Sequence, residues 1–357
     1  MFYLIQTIFE TMDESIRFAS GTTRFVPEFR LQHLADMLAG RKYVVITDNQ
    51  VQRLYNDFPE NVSVLSIPPG EGSKSLETIR FLTEELLRLG ADRSTVLVGF
   101  GGGVVTDITG FVAALYKRGV PFGFIPSTLL AMVDASIGGK NGINSGAFKN
   151  VLGTIRQPEF LFLDTSLLST LPREEWANGF AEIIKYACIS DAALYSLLSD
   201  GNLQELQNDV ERTKMLIQRC CNLKIQVVVE DEQERSRRKL LNFGHTVGHA
   251  IENLYNLSHG QAISIGMMVA ARLSEQLTGL PSQVTASLQR LLRQYELPTS
   301  YLFNPDEVMR TLTADKKRRG DLIDFILLER VGKAVIRPVA LDDIHRILEL
   351  YLHEGNH

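Results

Sequence analysis

The sequence predicts an α/β protein, with an N-terminal Rossmann-like parallel-sheet domain followed by a mostly α-helical C-terminal domain. Three observations lead there. Short apolar runs alternate with amphipathic stretches through roughly the first 170 residues. A glycine-rich turn, "GFGGGVVTD", joins one apolar run to the next helical stretch. Beyond Leu171 the hydrophobic period becomes helical almost to the end of the chain. Strand–helix alternation implies a mostly parallel sheet with helices on both faces.

The elements follow in chain order. "YVVIT" (Tyr43–Thr47) reads as a buried strand, followed by a polar helix near "NQVQRLYNDF". "VSVLSI" (Val62–Ile67) is a second strand, and "SLETIRFLTEELLRLG" is a helix that ends at Gly90. "TVLVGF" (Thr95–Phe100) is a third strand and "VVTDITGFVAALYKRG" a helix; "FGFIP" and "EFLFLD" are two further strands. From "LPREEWANGFAEIIKYACI" onward helices dominate, except for "LIDFILLERVGKAVIRPV", which has the alternation of a hairpin. The boundary falls near residue 170, giving domains 1–170 and 171–357 that pack closely around a cleft.

Composition excludes several function classes. Hydrophobic residues make up 45% of the 357-residue chain, enough for a large core. The net charge is −5, without the basic stripe of a nucleic-acid binder. Cys188, Cys220 and Cys221 show no disulfide-framework spacing, so they read as reduced thiols in a cytoplasm. The N-terminal "MFYLIQTIFETMDES" lacks the basic region of a signal peptide. No apolar run approaches the roughly 18 residues of a membrane span.

Candidate ligand-binding residues lie at the predicted strand ends. Three consecutive glycines allow close backbone approach, and free amides at a helix N-terminus attract phosphate. The turn lacks the GxGxxG fingerprint, so a tight strand–helix connection is the competing explanation. Asp48 closes the first strand, where a carboxylate receives ribose hydroxyls. "PPGEGSKS" closes the second and places Glu71 and Lys74 on a loop. Each alone reads as a solvated loop residue; together they point to a dinucleotide, because the C-terminal ends of parallel strands converge on one crevice.

A second group carries phosphate chemistry. "MVDASIGGKNGINSGAFKN" holds Asp134, Lys140, Lys149 and Asn150 in a segment expected to be flexible and glycine-rich. Two lysines and an amide there suit a phosphorylated substrate. Arg118 in "YKRG" is equally a cation capping a helix C-terminus. Glu182 and Lys185 are three apart and share a helical face, as an ion pair or as a buried carboxylate facing the cleft. In "NFGHTVGHA", His245 and His249 are four apart on one face. This resembles HExxH, but Thr246 stands where a metalloprotease carries its glutamate base.

These stretches together resemble the 3-dehydroquinate synthases and, more broadly, the sugar-phosphate cyclase family. The matching segments are "PGEGSKS", "GGGVVTDITGF", "YKRGVPF", "IPSTLLAMVDASIGGKNGIN", "KNVLGT", "LPREEWANGFAEIIKY", "EDEQERSRRKLLNFGHTVGHAIE", "HGQAISIGM" and "DKK". They run in family order from about residue 68 to 317. The resemblance implies one divalent metal, zinc or else cobalt, on Glu182, His245 and His259, three protein ligands with an open position. It gives His249 a different task, beside the substrate phosphate. It implies NAD contacts at Asp48, Glu71, Gly72, Ser73, Lys74, Gly102, Gly103, Val104, Val105, Thr106, Asp107, Ser127, Thr128, Lys140, Lys149 and Thr170.

The implied reaction converts 3-deoxy-D-arabino-heptulosonate 7-phosphate to 3-dehydroquinate. NAD removes a hydride from carbon 5, phosphate leaves, the hydride returns, the ring opens and an internal aldol closes the carbocycle. By resemblance, Lys140, Asn150, Asn242 and His249 grip phosphate, with one of Lys316 and Lys317, and Arg118 reaches it from the other subunit of a homodimer. Asp134 and Lys185 lie near the reacting hydroxyls, and Lys224 and Arg238 bind the substrate carboxylate. The substrate phosphate is itself a candidate base. Arg238 and Asn242, four apart, would face the same side of one helix continuous with His245 and His249.

Three positions depart from the commonest family pattern. Asn141 replaces a frequent Thr, "SGAFKN" replaces a Leu-Gly form, and Gln261 follows "HG" where Glu is common. The competing functions are a cyclase for another sugar phosphate, an NAD- and metal-dependent polyol dehydrogenase, and a non-catalytic binding protein. No nucleic-acid or membrane partner is expected.

Overall fold

The computed structural model describes residues 13–55, 58, 62–146, 148–314, 318–319 and 321–354. The chain divides into two compact units. The first is Met1–Pro172 with Ile217–Gln233, and the second is Arg173–Leu216 with Glu234–His357.

The first unit is built on a seven-stranded sheet. Its strands are β1 (Glu14–Arg17), β2 (Thr22–Val26), β3 (Tyr43–Asp48), β4 (Ser63–Ile67), β5 (Val96–Gly101), β6 (Phe122–Pro126) and β9 (Phe160–Phe162). The spatial order is β1-β2-β9-β6-β5-β3-β4, and only the β1–β2 pair is antiparallel. Strands buried on both faces read as continuous apolar runs, which explains β5 and β6, buried at every residue. The helices are α1 (Leu34–Met37), α2 (Asn49–Leu54), α3 (Leu76–Arg88) and α4 (Gly103–Leu115). β3 pairs with β4 on one side and β5 on the other. The chain therefore reverses its winding beside β3, the place where open α/β sheets bind ligands.

Two features depart from expectation. The glycine-rich segment around Lys140–Asn150 is no loop. It forms an antiparallel hairpin, β7 (Lys140–Ser145) with β8 (Phe148–Ile155). β8 is mostly exposed, so it lacks the apolar run that marks a core strand. Asn141 fastens this hairpin: its Nδ2 donates to the carbonyls of Gly139 at 2.8 Å and Arg156 at 3.0 Å. A Cβ on Gly110 of α4 would lie 1.8 Å from Asn141 Oδ1, so glycine is needed for that close approach. Secondly, Ile217–Gln233 returns to the first unit, a crossing that a single boundary near residue 170 does not contain.

The second unit is largely helical: α5 (Arg173–Ser190), α6 (Ala192–Ser199), α7 (Leu203–Asn208), α9 (His245–Tyr255), α10 (His259–Leu277), α11 (Ser282–Gln294), α12 (Pro305–Ala314) and α13 (Leu341–Glu354). α8 (Val210–Glu230) starts in this unit and ends in the first. The expected hairpin is present as β11 (Leu322–Arg330) and β12 (Lys333–Ala340), with a two-residue β10 (Arg318–Arg319) alongside. No helix among the described residues is long and apolar enough to cross a membrane.

Candidate active site

In the second unit, three side chains converge from α5, α9 and α10. Glu182 is fully buried on α5, at 0% exposure. Its Oε1 lies 3.4 Å from His245 Nε2 and 3.1 Å from His259 Nε2. Donors at ~2.0–2.2 Å in a tetrahedron stand about 3.3 Å apart, so this spacing fits one zinc-sized ion. A hard carboxylate with two imidazoles is also the donor chemistry of a catalytic divalent site.

Local structure explains the convergence. Gly244, at φ 79°, takes the left-handed turn that starts α9 at His245. A Cβ on Gly266 of α10 would stand 1.9 Å from the Gly244 carbonyl oxygen, so the two helices meet backbone to backbone. The start of α10 is capped by Ser258 and Gln261, and Asn178 Oδ1 accepts from Gly260 N at 3.1 Å. Gln261 thus closes a capping box, as Glu would at that position. His259 is the first residue of the helix so anchored.

The outer contacts prepare the rings as ligands. His245 Nδ1 donates to the Phe243 carbonyl at 3.1 Å, which leaves the Nε2 lone pair for a metal. Burial pushes the His245 pKa well below the usual imidazole value, with the Lys185 charge adding to it against Glu182. Burial also acts to lower His259, but its hydrogen bond to Glu182 and the nearby Glu252 carboxylate prevail and raise it to about 10. Glu252 Oε2 lies 3.7 Å from His259 Nδ1, behind the ring. Glu252 was missed in the sequence; its signal was the third residue after His249 on the same helical face. Lys185 Nζ pairs with Glu182 Oε2, so the i,i+3 ion pair and the buried carboxylate are one feature.

His249 is exposed on α9, its ring centroid 5.0 Å from that of His245. It stands next to the triad, outside the Glu182–His245–His259 set, and a second grouping joins it to Glu252 and His259. Arg238 is buried to 2% exposure. The continuous helix expected from Arg238 to His249 is absent. Arg237–Asn242 is a 3₁₀ segment, and Phe243 and Gly244 break it from α9. At three residues per turn, Arg238 and Asn242 do not share a face. Asn242 Nδ2 donates to Glu234 Oε1 at 2.8 Å. Lys316 and Lys317 lie outside the described residues.

The first unit gathers the remaining candidates. Gly102 is the N-cap of α4, and the amides of Gly103, Val104 and Val105 precede the first intrahelical bond, Thr106 N to Gly102 O at 3.1 Å. A Cβ on Gly101 would lie 2.7 Å from Val105 Cγ2, which keeps this turn narrow. Asp48 caps α2 with Oδ1, accepting from Gln50 N at 2.8 Å and Val51 N at 2.9 Å. Ser127 N donates to Gly101 O, Thr128 Oγ1 accepts from Ala131 N, and Thr170 Oγ1 meets Tyr55 OH at 2.7 Å. Glu71, Gly72 and Ser73 form a 3₁₀ turn after β4. Lys74 is buried, and its Nζ donates to Asp107 Oδ2 at 2.6 Å and to Asn150 Oδ1. Burial raises the Asp107 pKa, against the opposing charge of Lys74.

Lys224 is a buried residue, so it is no solvated surface lysine. Its Nζ is 2.9 Å from Asp134 Oδ1 and 2.6 Å from the Asp134 carbonyl oxygen. Lys140 and Arg118 are exposed and Lys149 half-buried. Lys117 and Arg118 both have left-handed backbones, at φ 48° and 67°, a conformation that non-glycine residues seldom adopt.

Comparison with known proteins accords with this arrangement. Residues 64–178 match the family model for the 3-dehydroquinate synthase N-terminal region, and residues 179–318 that for the C-terminal region. A 3-dehydroquinate synthase of Pyrococcus abyssi is 40% identical over 332 residues, covering 91% of this chain and 97% of that protein. The chain belongs to the 3-dehydroquinate synthase family. Another family member, from Streptococcus pneumoniae, is 38% identical over 325 residues, covering 88% of this chain and 91% of its own.

Solved structures place the synthase family among related cyclases. A 2-deoxy-scyllo-inosose synthase complexed with carbaglucose-6-phosphate, NAD+ and Co2+ superposes with TM-score 0.85 at 28% identity, covering 95% of this chain and 99% of that one. The 2-epi-5-epi-valiolone synthase of Streptomyces hygroscopicus with NAD+ and Zn2+ bound gives 0.86 at 28% identity, covering 98% and 99%. An iron-containing alcohol dehydrogenase from Thermotoga maritima shares the fold, with TM-score 0.63 at 15% identity and coverage of 95% and 99%.

Proposed function

We propose that the protein is a 3-dehydroquinate synthase, converting 3-deoxy-D-arabino-heptulosonate 7-phosphate to 3-dehydroquinate and phosphate with NAD and one divalent metal ion, zinc or cobalt. The observation that carries this reading is the Glu182–His245–His259 donor set, in a chain whose two halves match the same synthase family. When bound, NAD accepts and returns a hydride, and the metal acts as a Lewis acid on a substrate hydroxyl.

The chain's own groups divide the remaining work. Glu182 Oε1 and the two Nε2 atoms hold the metal. The α4 amides at Gly103–Val105 take the pyrophosphate of NAD, and Asp48, Glu71 and Lys74 take ribose hydroxyls. Gly72, Ser73, Gly102, Thr106, Asp107, Ser127, Thr128, Lys149 and Thr170 complete the cofactor contacts. Lys140, which also borders the cofactor, binds the substrate phosphate with Asn150, Asn242, His249 and one of Lys316 and Lys317. Lys224 and Arg238 bind the carboxylate, where a guanidinium offers a two-pronged contact. Lys185 Nζ holds a proton beside Glu182, and with Asp134 it orients the reacting hydroxyls.

The enzyme is proposed to act as a cytoplasmic homodimer in which Arg118 reaches the other subunit's phosphate site. The exposed, left-handed Arg118 supports this, since strain at an exposed residue persists where a function needs it. Cys188, Cys220 and Cys221 are buried and form no disulfide among the described residues, which suits a reducing compartment. The test is phosphate release from a panel of sugar phosphates with zinc and catalytic NAD. Release from the heptulosonate phosphate is expected, and release only from carboxylate-free sugars would overturn the assignment.

A further inference from the structure

Asn144 sits where the β7–β8 ladder shifts register, between Ile143 and Ser145. Its backbone amide is thereby turned out of the hairpin and donates to the carbonyl of Lys74 at 2.8 Å. Bulges of this kind re-aim a side chain and cluster beside binding sites. Here the side chain works in two directions. Nδ2 donates to Glu71 Oε1 at 2.9 Å, and Oδ1 accepts from the backbone amide of Asn150 at 2.8 Å. Asn150 has a left-handed backbone, φ 54°, so this bond holds a conformation that costs energy. Lys74 Nζ closes the circle on Asn150 Oδ1.

We propose that Asn144 is a positioning residue that sets the cofactor loop, through Glu71 and Lys74, in register with the phosphate-binding Asn150. This rests on the proposed roles of Glu71 and Lys74 toward NAD and of Asn150 toward phosphate. The carboxamide serves both directions at once, because one neighbour is an acceptor carboxylate and the other a donor amide. The two directions separate by substitution. Asn144→Asp keeps an acceptor for the Asn150 amide but sets a carboxylate against Glu71. Glu71→Gln on that background restores a donor–acceptor pair with the polarity reversed.

The experiment titrates NAD and inorganic phosphate separately onto the zinc-loaded enzyme by calorimetry. Asn144→Asp weakens NAD binding at least about tenfold, roughly one charge-assisted hydrogen bond, and leaves phosphate within about twofold. The double variant Asn144→Asp with Glu71→Gln binds NAD more tightly than Asn144→Asp alone. Asn144→Ala weakens both ligands, and it carries the test if Asn144→Asp does not fold. Unchanged NAD affinity in Asn144→Ala, equal loss of both ligands in Asn144→Asp, or no recovery in the double variant would overturn the proposal. Failure of the wild-type enzyme to bind NAD would instead overturn the functional reading beneath it.

Discussion

His245 donates its Nδ1 proton to the carbonyl oxygen of Phe243 across 3.1 Å. That single bond, at the turn just before α9, fixes the tautomer and aims Nε2 at Glu182. Its neighbour on the same helical face, His249, remains exposed with a different set of neighbours.

A division of labour between these two histidines follows. His245→Ala and His259→Ala are expected to lose bound zinc and activity together. His249→Ala should keep stoichiometric metal, measured by elemental analysis after gel filtration, while its turnover falls. Metal loss from His249→Ala as complete as from His245→Ala would refute the division.

Metal binding should release about one proton near pH 8. In the metal-free protein His245 is held neutral by burial, whereas His259 stays protonated up to about 10. A ligand must be deprotonated to bind, so the ion displaces the His259 proton. The same raised pKa gives the metal-free protein stability that is fully present below about 6.5 and is lost as pH rises toward about 10. Calorimetry in buffers of different ionisation enthalpy measures the proton count, and a value near zero at pH 8 contradicts the assignment.

NAD should be required but not consumed. Product formed per NAD added is expected to rise far above one, with no lasting absorbance from NADH. Stoichiometric NADH from a simple polyol, without phosphate release, would favour a dehydrogenase, whose fold this chain shares.

Arg238→Ala should reduce kcat/KM for the heptulosonate phosphate by at least about tenfold, the effect of losing one charge-assisted hydrogen bond. The comparison is with carboxylate-free analogues, on which the loss should be smaller. Lys224 gives a weaker discrimination, because Asp134 already neutralises it without a substrate carboxylate. Turnover of an analogue by the wild-type enzyme equal to that of the heptulosonate would reject the substrate assignment.

The sheet strands were legible in the sequence because burial on both faces turns β3, β5 and β6 into apolar runs. The β11–β12 hairpin was legible from its alternation. The β1–β2 pair and the β7–β8 hairpin were not: β1 and β8 carry partly or mostly exposed patterns, and β7 is rich in glycine and asparagine. Nor did α8 mark its passage between units, since periodicity defines the face a helix buries and not the body it packs against.

The metal site divides the same way. The amino-acid sequence by itself determined that His245 and His249 share a helical face, because spacing along one helix is local geometry. The matching family motifs singled out Glu182 and His259 as partners. Only the tertiary structure decided that His259, fourteen positions from His245, brings its Nε2 to within 3.1 Å of the Glu182 oxygen that His245 approaches at 3.4 Å. The reason is long-range packing. Gly244 and Gly266 let α9 and α10 touch backbone to backbone, and no period within either helix encodes which residues of its neighbour it will meet.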